Sequence, residues 1–348
     1  MPKRTERPRP ARLRDVADRA GVSPGLASRV LNDDRTVRLR PDTKEAVIRA
    51  AAELNYVPNS AARSLRYART STLGMVIESV TSPMYDGIIH GAQEAAAARG
   101  YFMLMIDAHE VERRPGLFAE LVAARRIDGL LLQGGFDEAP PPALDRLAGV
   151  PTVLLNARGT GEAPGIVLQD EEAAELATLH LIELGHRELL FVGASGGETT
   201  RRREQGFRTA ATTGGAVHVT TLAAGWSAQS CHDAVVDHLA AGQQPTGVVA
   251  VNAETAVGLC SALAEMGLSV PEDVSIVAIH DSWFADHLLP PLTTVRLPMR
   301  QLGHRAVERL MDQMTSPTGD DLTISEPAPE LIIRSSTSRP PRPGRARR

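Results

Sequence analysis

Apolar positions in the first sixty residues fall at helical spacing. Leu13, Val16, Ala17 and Ala20 stand at i, i+3, i+4 and i+7, and Gly21 follows as a stop. Ser23 suits an N-cap and Pro24 the first helical position, after which Leu26, Ala27, Val30 and Leu31 form a second apolar stripe. A turn over 32–40 leads to a third helix from Pro41, expected to bury Val47, Ile48, Ala51 and Leu54 and to end before Pro58. Asn59 can cap a short fourth segment, 60–66. Two short helices joined at Ala20-Gly21-Val22 fit a helix-turn-helix. Gly21 permits the tight turn, small Ala17, Ala20 and Ala27 permit close crossing, and the outward face of the second helix is left for a major groove.

From Leu73 the rhythm changes. Short apolar runs at 73–77, 102–106, 129–132, 152–155, 189–193, 248–251 and 275–279 alternate with helical patterns at 84–99, 171–184, 203–213 and 255–266. Alternating strand and helix implies parallel sheet with right-handed crossovers. This α/β stretch of some 270 residues exceeds one doubly wound domain and implies two lobes.

Charge sharpens the division. Residues 1–69 hold 16 Lys/Arg against 8 Asp/Glu, whereas 70–333 hold 16 against 34; 334–348 carry six Arg and no acid. A basic head on an acidic body assigns a polyanion to the head alone, if it is more than a solvated charged segment. Aromatics are only 3% of the chain, so the core must be aliphatic. Two cysteines, Cys231 and Cys260, make no disulfide framework. No signal peptide or transmembrane run stands in the sequence, so a cytoplasmic, nucleoid-associated protein without a membrane role is expected.

Asp15-Val16-Ala17, Ala20-Gly21-Val22-Ser23, Ser28-Arg29-Val30-Leu31-Asn32 and Ala52-Glu53-Leu54-Asn55-Tyr56-Val57-Pro58-Asn59 resemble the N-terminal signature of the LacI-type repressor family. Leu184-Gly185-His186-Arg187, Gly206-Phe207, Val270-Pro271-Glu272-Asp273-Val274-Ser275 and Pro291-Leu292-Thr293-Thr294-Val295 resemble its core landmarks, so the likeness spans about 12–338. It implies an all-α helix-turn-helix head and a two-lobed, periplasmic-binding-protein-like α/β core of parallel sheets. The expected divisions are a disordered basic arm at 1–11, the head at 12–58, a hinge helix and linker at 59–70, the core at 71–338 and a basic tail at 339–348. Within the core, one lobe is expected at 71–168 plus 295–322 and the other at 169–293 plus 323–338.

The resemblance also implies residue roles. Ser23, Asn32, Thr43, Tyr56 and Asn59 match phosphate-contacting positions, and Pro24, Gly25 and Arg29 match base-reading ones. Arg29 can grip guanine O6 and N7 together. Leu26 stands where the family commonly has Thr, and the turn after Asn32 is two residues longer. Arg63 and Leu65 fall in the hinge segment, too short to be stable alone. Leu65 matches an apolar wedge that kinks a minor-groove step, or is an ordinary packing residue.

Loops after the strands supply expected effector contacts: Met84, Tyr85, Asp107, Arg203, Trp226, Asn252, His280 and Asp281, with His109 as either contact or solvated loop residue. Trp226 has a core alternative and Arg203 a structural ion-pair alternative; His186 reads as packing. His280 occupies a position where the family usually has Asp, which weakens the case for a plain sugar. Gly193-Ala194-Ser195-Gly196-Gly197 matches Gly-x-Ser-x-Gly after a strand, with Asp233, His238 or His280-Asp281 as nominal triad partners. Small residues suit any turn from strand to helix, so no catalytic residue is assigned; no metal site or cofactor is expected either. The expectation is a repressor, a homodimer or dimer of dimers, on a pseudo-palindromic DNA operator, controlled by a sugar or related polar effector. Its alternatives are a solute-binding protein without a DNA role and a hydrolase using Ser195.

Overall fold

A computed structural model of the chain describes residues 11–31, 40–56, 69–134, 149–161, 163–194, 196–317 and 319–341. The chain divides into two units between Thr70 and Ser71.

The first unit contains helices Leu13–Ala20, Pro24–Leu31 and Pro41–Glu53. Gly21 takes a left-handed φ of 67°, which lets the Val22 amide reach back to the Ala17 carbonyl at 2.9 Å and close the first helix. Ser23 caps the second helix, its hydroxyl accepting from the Leu26 amide at 3.2 Å. Val16, Ala17, Ala27, Val30, Val47, Ala50 and Ala51 form the core, and the small side chains at 17 and 27 are fully buried. Ile48, expected inside, is 49% exposed; Val47, Ala50 and Ala51 fill the inward face instead. An exposed ion pair of 2.7 Å joins Arg19 to Glu53.

The second unit holds two six-stranded sheets. The first comprises β1 (Thr72–Ile77), β2 (Phe102–Asp107), β3 (Gly129–Gln133), β4 (Thr152–Leu155), β5 (Gly165–Leu168) and β11 (Leu322–Ile324), ordered β11-β5-β4-β3-β1-β2. The second comprises β6 (Glu188–Gly193), β7 (His218–Ala223), β8 (Gly247–Ala250), β9 (Ser275–Ile279), β10 (Thr293–Arg296) and β12 (Glu330–Ile332), ordered β12-β10-β9-β8-β6-β7. Every pairing is parallel except β10 with β12. The chain passes between sheets after Leu168, after Arg296 and after Ile324. The limits expected at 295 and 322 therefore shift by two residues, because Val295 still pairs with Ile279 and Ile324 with Leu168.

The seven apolar runs all become strands. β5, β7, β10, β11 and β12 fall outside those runs: β7, at a sheet edge, buries no residue and carries no apolar run, and the other four span only three or four residues each. Helices Ala108–Arg113, Pro115–Ala123, Ala228–Ala240 and Met299–Thr315 were also unanticipated. The last packs along Asp86–Ala97 so closely that a Cβ on Gly303 would lie 2.0 Å from the Ile88 carbonyl, and one on Gly91 1.9 Å from that of Arg300. Glycine is required there by contact between backbones, not by φ. The largest core cluster draws on both sheets, from Leu73, Met75 and Leu131 to Phe191, Val249 and Val277.

Candidate functional site

In the head, Ser23, Pro24, Gly25 and Arg29 are all exposed along the second helix. Thr43 and Tyr56 are half-buried; the Thr43 amide donates to the Arg40 carbonyl at 3.0 Å, and that of Tyr56 to Ala51 at 2.8 Å. Asn32, Asn59, Arg63 and Leu65 lie outside the described residues, as does Ser195.

The core sheets repeat one strand order, and each reverses direction of winding beside its first strand. In such sheets a crevice forms beyond the strand carboxyl ends. On the first sheet, Ser82 follows β1 and donates its hydroxyl to Glu254 Oε2 at 2.7 Å, a bond spanning the two sheets' loops. Tyr85 is 1% exposed, and its hydroxyl donates to Glu78 Oε2 at 3.3 Å. Burial first, then the Glu78 and Glu254 carboxylates, push the phenol well above its ordinary range. Met84 is half-buried against the core. Asp107 caps the following helix, accepting from the His109 amide at 3.0 Å.

On the second sheet, the loop after β6 turns into helix Glu198–Thr213 and carries Arg203, 2% exposed. Its Nε donates to Asp170 Oδ1 at 2.7 Å and its Nη1 to the Val251 carbonyl at 2.5 Å. Arg202 donates to Asp170 Oδ2 at 2.7 Å and to Glu198 at 2.6 Å. Asn156, at a left-handed φ of 47° after β4, donates to the same Asp170 at 3.1 Å. Two guanidiniums and two carboxylates thus balance around Asp170, which is fully buried. Asn156, Arg202 and Glu198 were missed in the sequence; only the Arg202-Arg203 tandem could have pointed to them.

Asn252 ends β8 and caps helix Ala253–Glu265, its Oδ1 accepting from the Thr255 amide at 2.7 Å. Trp226 is half-buried against the core cluster, after Gly225 at φ 70°. His280 sits at φ 75° after β9. Burial, then the Arg203 charge, lower its pKa to about 4, against opposing pulls from Asp281 and Asp86. Asp281 turns away from it: Thr294 donates at 2.8 Å, and Arg296 and Arg334 approach at 2.9 and 3.0 Å. Burial disfavours its charge, but these partners hold its carboxyl below the ordinary range. No His280–Asp281 dyad exists for the nominal triad.

Five buried polar atoms at these strand ends have no protein partner: Gln169 Oε1, Thr200 Oγ1, Asn252 Nδ2, His280 Nδ1 and Ser282 Oγ. A cavity of about 790 Å³ lies alongside, lined by Asp86, His280, Trp283, Arg296, Met299 and Arg300 among others. It includes His280 and Asp281 but not Arg203, Trp226 or Asn252, and follows the flanks of Asp86–Ala97 and Met299–Thr315. Among the described residues, no cluster of His, Cys, Asp or Glu is placed to hold a metal, and no helix is long and apolar enough to cross a membrane.

A helix-turn-helix head joined to paired, like-ordered parallel sheets defines a DNA-binding regulator with a periplasmic-binding-like core. Residues 12–59 match the lacI family of bacterial regulatory proteins, and 178–337 match a periplasmic binding protein-like domain. The HTH-type transcriptional repressor PurR of Vibrio vulnificus is 31% identical over 338 residues, covering 94% of this chain and 99% of that protein. PurR of Erwinia tasmaniensis is 34% identical, with 94% and 97% covered. Among solved structures, the lac repressor dimer bound to operator and the anti-inducer ONPF matches with a TM-score of 0.80 at 26% identity, over 95% of this chain and 100% of that one. The complex of the transcriptional regulator CelR with cellobiose matches at 0.67 and 28% identity, over 94% and 99%. The chain belongs to the LacI family of transcriptional regulators.

Proposed function

We propose that the chain is a homodimeric, operator-binding repressor, acting in the cytoplasm, whose DNA affinity is set by a small polar effector held beyond the strand ends of its two sheets. The observation that carries the effector reading is the set of five buried, unpartnered polar atoms. A buried group without a partner is costly, about 1–3 kcal/mol, and such a group persists where a ligand or water completes it. Repression and dimerisation are supported by the relatives, which are repressors, one of them a dimer on its operator.

In this reading Arg29 reads a base, with Pro24 and Gly25 beside it against the base edges. Ser23, Thr43 and Tyr56 hold phosphates, joined by Asn32 and Asn59. Arg63 and Leu65 meet the DNA from the 59–70 segment, Leu65 as an apolar wedge. Arg203, Trp226, Asn252 and His280 face the effector, with Met84 and Tyr85 opposite. Asp107 and Asp281 act one step removed, through the helix and strand they brace. An effector that binds one lobe arrangement better biases the chain toward it and so alters the spacing of the two subunits' 59–70 segments. The test is a gel shift with operators selected from random DNA. The full chain should bind, with affinity falling steeply as salt rises, and a chain lacking 1–69 should not. Specific binding by the truncated chain would reject the assignment.

A further inference from the structure

Arg202 and Arg203 are neighbours on helix Glu198–Thr213, where successive side chains diverge by about 100°. Arg203 stays within the second lobe: Asp170 begins helix Asp170–Glu183, and the Val251 carbonyl follows β8. Arg202 reaches out of it. Its Nη2 donates to the Asn156 carbonyl and to Asn156 Oδ1, each at 3.1 Å, and Asn156 follows β4 of the first sheet. The same guanidinium holds the second lobe's Asp170 at 2.7 Å and Glu198 at 2.6 Å, so one side chain bridges the lobes. Neighbouring bonds cross at the same place. Asn156 Nδ2 donates to Asp170 Oδ2 at 3.1 Å, the Thr199 hydroxyl donates to the Asn156 carbonyl at 3.3 Å, and the Arg158 amide donates to Glu198 Oε2 at 3.0 Å. Asn156 Oδ1 also accepts the Leu168 amide at 3.0 Å, where the chain first passes between sheets. Asn156 is 8% exposed and Asp170 fully buried. Parting the lobes here would strip the Asn156 carbonyl and amide nitrogen of their partners together, so the contact breaks as a unit.

We propose, resting on the operator-binding reading above, that Arg202 is a positioning residue for DNA binding. With Asn156 it latches the two lobes against each other, and so fixes the spacing at which the two subunits present their 59–70 segments. Arg202 acts through the lobes rather than by touching DNA. The head is continuous with the first lobe, whose β1 begins at Thr72, so a first lobe free to swing on the second leaves a dimer's heads at no fixed spacing. A pseudo-palindromic operator demands one spacing, and a core that must be ordered during binding loses affinity by the cost of that ordering.

Gel shifts of the full chain, on an operator selected from random DNA by the wild-type protein and run well below each variant's melting temperature, test this. Arg202→Met should weaken binding by about fivefold or more, the low end of coupling between separate sites. Asn156→Gly, which keeps the left-handed φ of 47° without strain, should do the same. Combined, the two should cost less than their sum, because they remove one contact. Arg208→Met loses a pair with Glu204 and a bond to Thr221, both inside the second lobe, and should bind as wild type. Hydrogen exchange supplies a second readout. Arg202→Met should speed exchange of the Arg158 amide, bonded across the lobes, but not that of Gly159, bonded to Asp321 within the first. Unchanged operator affinity in either Arg202→Met or Asn156→Gly overturns the proposal, as do strictly additive losses, equal weakening by Arg208→Met, or unchanged exchange at Arg158. A wild-type chain that selects no operator rejects the operator-binding reading instead, and exchange at Arg158 then still decides whether the latch exists.

Discussion

Arg203→Ala separates structural from ligand-directed work at one side chain. In the free protein the guanidinium is 2% exposed and bonds Asp170 at 2.7 Å and the Val251 carbonyl at 2.5 Å. Breaking a buried ion pair by removing one partner costs about 3–5 kcal/mol. Asp170 keeps Arg202 and Asn156 on its other oxygen, which places this loss at about 3 kcal/mol. For a unit of this size, each kcal/mol lowers the melting temperature by roughly 2 °C, so a fall of about 6 °C is expected. Arg203→Lys should recover only part of it, because one ammonium lacks the fork that meets carboxylate and carbonyl together. Scanning calorimetry measures the stability term. Gel shifts well below the transition should show operator binding retained and the effector response lost. A melting temperature unchanged within 1 °C would refute the structural role, and a normal effector response at normal stability would refute both roles.

Other outcomes follow from the same geometry. His280 is protonated in the unfolded chain below about pH 6.5 but in the folded one only near 4. Stability is therefore full above pH 6.5 and falls as pH drops toward 4, by about 3 kcal/mol in all. Burial lowers His180 and His186 in the same direction, so part of the fall should persist in His280→Gln; the wild-type fall should exceed it, and identical melting-temperature profiles from pH 7 to 4.5 would count against the assignment. Gly303→Ala places a methyl 2.0 Å from the Ile88 carbonyl and should destabilise by about 1–3 kcal/mol in denaturant titration; a neutral result would mean the helices separate freely. Arg29→Ala should cost about 1–3 kcal/mol and flatten preference at one operator position. Ser23→Ala should weaken all operators alike and also lose its cap to Leu26, about 1 kcal/mol of head stability, so unchanged head melting would contradict the cap.

The head was legible because its helices are short, amphipathic and punctuated by Gly21, Ser23 and Pro24. Only Ile48 was misplaced: at this register a helix of 13 residues presents Val47 and Ala51 inward and turns position 48 outward. Seven strands announced themselves as apolar runs, whereas β5 and β10, though largely buried, did not, nor did β7, which buries no residue at its sheet edge. Helix Met299–Thr315 was hidden by its many charged positions, although Leu302, Ala306 and Leu310 mark its inward stripe. In the crevice, Arg203, Asn252, Tyr85 and His280 could be named from strand ends alone. Partners such as Asn156 and Glu254 could not, because they come from elements distant in sequence and meet the crevice only through the pairing of two sheets.

The triple passage of the chain between sheets has a consequence for synthesis. β11 and β12 finish the two sheets from the last twenty or so residues of the described chain, and Met299–Thr315 covers Asp86–Ala97 from two hundred residues away. Neither lobe is complete in any continuous stretch emerging from the ribosome. Ile88 and Ala92, buried in the finished protein, must wait for the C-terminal helix before their shelter exists. A message cut short after the codon for Arg296 would release a chain with both sheets short of a strand and an apolar helix flank open to solvent. Such a product should aggregate or be degraded while still bearing an intact DNA-binding head. Late truncations are therefore expected to abolish regulation through loss of protein rather than through a head freed from control.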